Sequence, residues 1–258
     1  MTPNLIACRL SSYGKYQNRG WSHLPVIGIH HVEIHIPSPD TQNTIRKKLK
    51  TNNLTVSSMQ ASCNIQKDDA VELMKPQLEI CSEFGAEICL ICIKADKTDR
   101  SIIWERLRKI GDLAAQYSIT IVIETHPDLM TNSRTALETL TTVNHPNIRV
   151  NFDTGNVYYY NKNLDAVDEL SKIIDYVASI HIKDSNGRYQ EWDFPTLGTG
   201  IVDFPTIFRL TKGHGFTGPF TIELQGTEGV KLDEAGQLRQ VTDSVAYLRK
   251  IDTLMNEA

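Results

Sequence analysis

The sequence lacks both patterns that direct a chain to or through a membrane. No run approaches the roughly 18 apolar residues that a membrane-spanning helix needs. The start, Met1-Thr2-Pro3-Asn4, has neither the basic residues nor the long apolar stretch of a secretory signal. We therefore expect a cytoplasmic protein with no membrane partner.

Positive charge is also in short supply, since 27 Lys and Arg stand against 31 Asp and Glu and give a net charge of −4. A surface that binds a phosphate backbone needs an excess of basic groups. We therefore predict no nucleic-acid partner. The short run Arg46-Lys47-Lys48 is typical of a solvated helix face.

The cysteines are few and do not form a disulfide pattern. There are five, an odd number, and no secretory signal accompanies them. Cys89 and Cys92 have the spacing of a redox or zinc motif, but they lie in an apolar run that is typical of a strand. Residues three apart on a strand point to opposite faces. Buried packing is therefore predicted for this pair.

A glycine-rich phosphate turn is missing as well, which argues against an open doubly wound sheet, the alternative fold. The Gly-Thr-Gly at Gly198 is only a short match and does not directly follow a strand. Instead, apolar runs alternate with amphipathic helical stretches through all 258 residues, the size of one TIM barrel. We predict a single-domain (β/α)8 barrel over residues 1–258. Its predicted strands are Leu5–Leu10, His31–Ile36, Thr55–Gln60, Glu87–Ile93, Thr120–Glu124, Ile148–Asp153, Ala178–Lys183 and Phe220–Leu224.

Candidate metal ligands stand at the ends of the last four predicted strands. They are Glu124, Asp153, His181 and Glu223. The first three follow one another at intervals close to the roughly 31 residues of one βα unit, and active sites of TIM barrels lie at this end of the strands. Any one such carboxylate is more often a helix cap, but four at barrel spacing predict a site for one divalent ion. Carboxylates with an imidazole favour Mn²⁺, Mg²⁺ or Co²⁺, with Zn²⁺ as a further candidate.

A second layer of candidates follows from the alternation of side chains along a strand. His126, Lys183 and Gln225 each lie two residues after a predicted ligand and so share its face. We expect them to contact substrate oxygens, and we expect the ammonium of Lys183 to stabilise negative charge that develops there. Glu33, on the second strand, is equally consistent with a substrate-binding role and with packing.

These residues carry a resemblance to the xylose isomerase-like sugar phosphate isomerase/epimerase superfamily. The motifs are Ile-Glu-Thr-His at Glu124, Asn-Phe-Asp-Thr-Gly-Asn at Asp153, His-Ile-Lys-Asp at His181 and Ile-Glu-Leu at Glu223. The resemblance implies that the four residues bind the metal and that the two glutamates move a proton on opposite faces of a sugar. It also implies a substrate contact near Arg188.

One position departs from that pattern. Many members of the superfamily have a histidine three residues after the aspartate, where this chain has Asn156. An amide can bind substrate but is a far poorer acid, base or metal ligand. This substitution weakens the match to a ketose epimerase in particular.

Three functions remain open at this point. The leading one is isomerisation or epimerisation of a keto- or aldo-sugar, by removal of the proton next to a carbonyl through an enediolate. The alternatives are a metal-dependent lyase, of the inosose dehydratase or keto-glycoside eliminase type, and a sugar-binding barrel without activity. The long segment from Asp184 to Ile201, which contains Trp192, covers either the site or a neighbouring subunit, so a homo-oligomer also stays open.

Overall fold

Eight parallel strands form a closed barrel in the computed structural model, which describes residues 5–256. Each strand pairs with the next in the chain, and the first pairs with the last to close the ring. The predicted (β/α)8 fold is confirmed, and the open sheet is excluded. The barrel strands are β1 (Ile6–Arg9), β2 (His31–His35), β3 (Thr55–Ala61), β4 (Ile88–Ile91), β5 (Thr120–Glu124), β6 (Ile148–Asp153), β7 (Val177–Ile182) and β9 (Phe220–Ile222).

Helices surround the barrel and bury their apolar faces against it. In the helix from Arg100 to Gln116, for example, Ile103, Leu107 and Ile110 form one fully buried stripe at helical spacing. Two 3-10 segments, Leu10–Tyr16 and Ile174–Tyr176, complete the connections. The α-helices are α1 (Gln17–Val26), α2 (Gln42–Thr51), α3 (Ala70–Glu83), α4 (Arg100–Gln116), α5 (Ser133–Val143), α6 (Thr154–Tyr160), α7 (Ala166–Ile173), α8 (Phe204–Gly213) and α9 (Glu234–Asn256).

A small antiparallel ribbon stands apart from the barrel. It pairs β8 (Asp193–Phe194), inside the predicted long loop, with β10 (Gly226–Thr227), which follows the last barrel strand. The hydroxyl of Thr227 donates to the Asp193 carboxylate at 2.5 Å and fastens the two short strands together. The ribbon therefore holds the long loop over the carboxyl ends of the barrel strands.

The fourth strand is shorter than predicted, and this changes the environment of one cysteine. The apolar run from Glu87 to Ile93 forms a strand only over Ile88–Ile91. Cys89 is fully buried in the core, as predicted. Cys92 follows the strand and is exposed in a cavity at the carboxyl end of the barrel, so its predicted burial is wrong.

Within residues 5–256, none of the helices is both long enough and apolar enough to cross a membrane. Residues 1–4 of the predicted domain, and the last two of its 258, lie outside the described part of the chain.

Candidate metal centre

The four predicted ligands converge at the carboxyl end of the barrel. One ligand atom from each of Glu124, Asp153, His181 and Glu223 lies within 4.8 Å of the others, and all four residues are buried. Parallel pairing explains the convergence, because Asp153 and His181 are direct partners on β6 and β7. Glu124 ends β5, and Glu223 directly follows β9, on either side of this pair.

His181 lies between carboxylates on both sides of its ring. Nδ1 is 3.0 Å from Glu124 Oε1, 3.4 Å from Glu223 Oε2 and 3.9 Å from Asp153 Oδ2. Burial alone would lower the pKa of this imidazole, but the surrounding carboxylates, first that of Glu124, raise it well above its usual value. Burial likewise opposes charge on Glu124, yet the contact with His181 lowers the pKa of that carboxyl to about 2. The Nδ1 side of the ring thus presents one nitrogen and three carboxylate groups to a common point.

Glu33 contacts the opposite side of the same ring. Its Oε2 is 3.2 Å from His181 Nε2 and also accepts a hydrogen bond from the Ser58 hydroxyl at 2.7 Å. A histidine that binds metal through one nitrogen commonly donates from the other to a carboxylate, which fixes the orientation of the ring. The structure therefore places Glu33 where it can orient His181, with Nδ1 turned to the cluster.

Asp153 combines a helix cap with a place in the cluster. Its Oδ1 accepts from the backbone N–H groups of Gly155 and Asn156, both at 2.9 Å, and so caps the short helix α6. Its Oδ2 points to the cluster and accepts from Lys183 Nζ at 3.0 Å. Burial is the main reason why the pKa of this carboxyl is raised to about 7. One oxygen of Asp153 thus caps a helix, and the other faces the cluster.

The ammonium of Lys183 donates all of its hydrogen bonds to neighbouring protein side chains. Its ammonium donates at 3.0 Å to Asp153 Oδ2, to Glu223 Oε2 and to Asn156 Oδ1, and the side chain is 1% exposed. An ammonium has three N–H donors, and all three are used here. A direct bond to a substrate oxygen would require one of these contacts to break. Asn156, which also donates to the Thr125 carbonyl at 3.1 Å, therefore positions Lys183 rather than lining the cavity.

Arg9 is a member of the site that the sequence analysis missed. Its Nη1 lies 2.6 Å from Glu223 Oε1, its Nε lies 3.1 Å from Glu33 Oε1, and Nη2 donates to Gln60. The position of Arg9 could have indicated this role, since it is the last residue of the first barrel strand. Reading the ends of all eight strands, instead of the last four, would have found it.

The buried charges at this end of the barrel balance once a divalent cation is added. Four carboxylates (Glu33, Glu124, Asp153 and Glu223) face two permanent cations (Arg9 and Lys183), and all six are buried. Excess buried charge of one sign is costly unless it is paired or coordinates a metal. A bound divalent ion would supply two further positive charges and neutralise the group, because a histidine that binds a metal is neutral. The donor set, one imidazole nitrogen and three carboxylates, also suits a hard or borderline divalent ion.

A cavity of about 920 Å³ opens above the cluster. Of the four predicted ligands, Glu124 and Glu223 line it, whereas Asp153 and His181 are fully buried behind them. His126 and Gln225, both predicted as substrate contacts, also line the cavity. The two glutamates are thus the cluster members that a small molecule in the cavity can reach.

Two of the predicted substrate-binding residues lie at the cavity, and a third lies on the surface of the long loop. His126 Nδ1 is buried and has no hydrogen-bond partner among the described residues, and burial lowers the pKa of its ring. Gln225 Nε2 donates to Glu223 Oε1 at 3.2 Å. Arg188, in contrast, is 72% exposed and pairs with Glu191 on the loop surface, outside the cavity lining.

Comparison with known proteins assigns the chain to a family. Residues 26–251 match the model of the xylose isomerase-like TIM barrel family, so the chain belongs to that family. The chain is distantly similar to sugar epimerases. It is 26% identical over 168 residues to a ketose 3-epimerase of Arthrobacter globiformis, a match that covers 59% of this chain and 54% of that enzyme. It is also 26% identical over 171 residues to L-ribulose-5-phosphate 3-epimerase UlaE of Salmonella typhi, covering 61% of this chain and 58% of that enzyme.

The matches to these curated relatives therefore span only between half and three-fifths of their length. Solved structures show the same fold over nearly the whole chain. A xylose isomerase domain protein from Planctomyces limnophilus superposes with a TM-score of 0.78 at 19% identity, covering 99% of both chains. A D-allulose 3-epimerase from Methylomonas sp., solved in complex with D-allulose, superposes with a TM-score of 0.74 at 17% identity, covering 96% of this chain and 98% of that one.

Proposed function

We propose that this protein is a divalent-metal-dependent isomerase or epimerase that removes and returns a proton next to the carbonyl of a keto- or aldo-sugar. The observation that carries the proposal is the position of Glu124 and Glu223, which belong to the buried cluster and also line the cavity. Two carboxylates in reach of one bound molecule supply the two bases that this reaction needs. The similarity to ketose 3-epimerases supports the same class.

In this proposal the ion is held by Glu124, Asp153, His181 and Glu223. Such an ion would polarise a substrate carbonyl and a neighbouring hydroxyl, which makes the C–H bond between them more acidic. Mn²⁺, Mg²⁺ and Co²⁺ fit the donor set best, and Zn²⁺ also accepts it.

The protein's own groups then move the proton. One glutamate accepts the proton from the substrate carbon and leaves an enediolate, while the other, carrying a proton, delivers it to the opposite face. Coordination to a cation would keep Glu124 ionised, in the basic form that accepts a proton. The hydrogen bonds from Arg9 and Gln225 to Glu223 Oε1 fix the direction in which that carboxylate points.

The other predicted residues have supporting roles in the proposal. His126 lines the cavity, and its ring binds a substrate oxygen. Lys183 acts through the carboxylates of Asp153 and Glu223, because its three donors are already used. Its positive charge lies close enough to favour negative charge on the substrate without direct contact.

Hydrogen exchange in D₂O tests this function. Keto- and aldo-sugars are incubated with the protein and Mn²⁺, Co²⁺ or Mg²⁺, and exchange of the carbon-bound hydrogen is followed by NMR. We expect Glu124→Gln and Glu223→Gln each to lower the exchange rate by about 10²- to 10⁴-fold. Exchange at the wild-type rate in both variants would reject the proposal. A product lighter than the substrate by a water or an aglycone, seen by mass spectrometry, would identify the lyase instead.

A further inference from the structure

The cavity above the cluster is larger than one sugar ring requires. At about 920 Å³ it lies at the upper end of the roughly 300–1,000 Å³ that pockets for drug-sized ligands occupy. The reactive groups Arg9, Glu124 and Glu223 take up only its buried end. The rest of the cavity has a different lining, which the proposed reaction does not use.

Exposed apolar side chains line that outer part. Trp192 is 39% exposed, Val230 is 59% exposed and Leu232 is 36% exposed, and all three face the same cavity. Single exposed apolar residues are ordinary on a protein surface, whereas several around one concave site indicate a binding surface.

Trp192 is held rigidly in this lining. Its Nε1 donates to the Gln225 carbonyl at 3.3 Å, and its own carbonyl accepts from the backbone of Glu228 at 2.8 Å. Its ring packs edge-on against Phe194 and Tyr159, with centroids 5.0 and 5.7 Å apart. A ring fixed in this way is a preformed platform that loses little entropy when a ligand stacks on it.

Polar side chains of α9 line the cavity together with this apolar surface. They are Gln237, Arg239, Gln240 and Asp243. A ligand group that suits this outer region has a flat or apolar face for Trp192 and polar substituents or edges for the helix. A second ring, linked to the reacting sugar through a hydroxyl other than the anomeric one, has this chemistry, whether it is another sugar or an aromatic group.

We infer that the substrate is a two-ring sugar: the ring that bears the free carbonyl lies at the cluster, and the second ring, linked through one of its other hydroxyls, lies against Trp192. The inference rests on the proposed function for the position of the reacting sugar. It narrows the substrate class from sugars in general to two-ring compounds. The volume of the cavity and the fixed aromatic platform are the observations that carry it.

Paired ligands test this inference by isothermal titration calorimetry on the metal-loaded protein. Each of D-glucose, D-galactose and D-xylose is compared with its O4-phenyl ether and with a disaccharide that has it at the reducing end, because both compounds keep the carbonyl free. For at least one sugar, we expect a two-ring compound to bind about tenfold more tightly than the single ring, a gain typical of an added aromatic contact. Preference for the phenyl or the disaccharide member tells which second ring the cavity takes.

Trp192→Ala should remove this gain. Val230→Asp tests the same surface at an exposed position, where misfolding is not expected, and should reduce it. Tyr189→Ala is the matched control, since this exposed aromatic residue of the same loop lies outside the cavity lining and should leave the gain intact. The inference is overturned if no two-ring compound binds more tightly, or if the gain survives in both cavity variants.

Hydrogen exchange measured on the same samples separates this inference from the proposed function. Exchange with single sugars and no gain from a second ring would overturn the assignment of a two-ring substrate alone. A gain from the second ring that Trp192→Ala removes, without any exchange, would overturn the proposed reaction and leave the two-ring cavity standing.

Discussion

Arg9 Nη1 lies 2.6 Å from Glu223 Oε1 and so joins the first barrel strand to the carboxylate that follows the last. The same guanidinium contacts Glu33 through its Nε. Arg9 therefore neutralises two buried carboxylates that would otherwise repel each other and their neighbours. One is a proposed metal ligand, and the other orients the histidine of the cluster.

We predict that Arg9→Met destabilises the protein by about 3–5 kcal/mol, because it leaves buried carboxylates without their cation. Chemical denaturation measures the free energy of unfolding. Arg100→Met is the matched control, because its pair with Glu138 is exposed and such pairs contribute only about 0–1 kcal/mol. Equal losses in the two variants would contradict the role assigned to Arg9.

Glu33→Gln tests the orientation of His181. The variant keeps all four proposed ligands but replaces the carboxylate that contacts His181 Nε2. Loss of such a partner typically lowers metal affinity by about 10- to 100-fold. Competition with a fluorescent chelator measures the affinity for Mn²⁺ or Co²⁺. An unchanged dissociation constant would show that Glu33 does not support the ligand set.

Asp184 organises the long loop from inside. Its carboxylate accepts hydrogen bonds from the backbone N–H groups of Ser185, Gly198, Gly200 and Val202, at 2.8 to 3.2 Å. Asp184→Ala leaves these donors without their acceptor, at a cost of about 1–3 kcal/mol for each one that stays buried and unpaired. We expect a large loss of stability and faster proteolysis within residues 185–201.

A cap elsewhere in the chain provides the control for this variant. Asp165 accepts from two backbone N–H groups at the start of α7, and asparagine is an equally good cap. Asp165→Asn should therefore leave the loop as resistant to protease as it is in the wild type. Cleavage in Asp184→Ala at the wild-type rate would show that the loop is held by other contacts.

The four-residue cluster was predictable because a barrel repeats. Strands of similar length recur after each helix, so residues that end them reach one height, and the sequence intervals between Glu124, Asp153 and His181 carry that information. The side chains at these strand ends, three carboxylates and one imidazole, then predicted a metal site. The partner of each side chain was not predictable, because it depends on rotamers and on residues far away in the chain.

Glu33 and Lys183 illustrate this limit. Periodicity placed both of them on inward faces but did not assign their hydrogen bonds. Glu33 contacts a ring 148 positions away, and the three acceptors of Lys183 are 27, 30 and 40 positions away. We expected the ammonium of Lys183 to contact the substrate, but in the structure it donates hydrogen bonds to three protein side chains.

The sequence analysis did not predict helix α6, because its local sequence does not favour a helix. Its sequence, Thr-Gly-Asn-Val-Tyr-Tyr-Tyr, is made of residues with modest or poor helix propensity. The helix forms because Asp153 caps it and because most of it is buried against the barrel. Tertiary packing overrides intrinsic propensity in such short elements.

Measuring the metal content of the protein shows whether the four-residue cluster binds a divalent ion. The wild type, His181→Ala and Glu223→Gln are incubated with Mn²⁺ or Co²⁺, freed of excess ion and measured by elemental analysis, with Glu228→Gln, an exposed carboxylate outside the cavity lining, as the control. We predict one bound divalent ion per chain in the wild type and the control, and a loss or marked weakening of binding in the other two. A wild type that retains no ion, or cluster variants that retain as much as the control, would contradict the account.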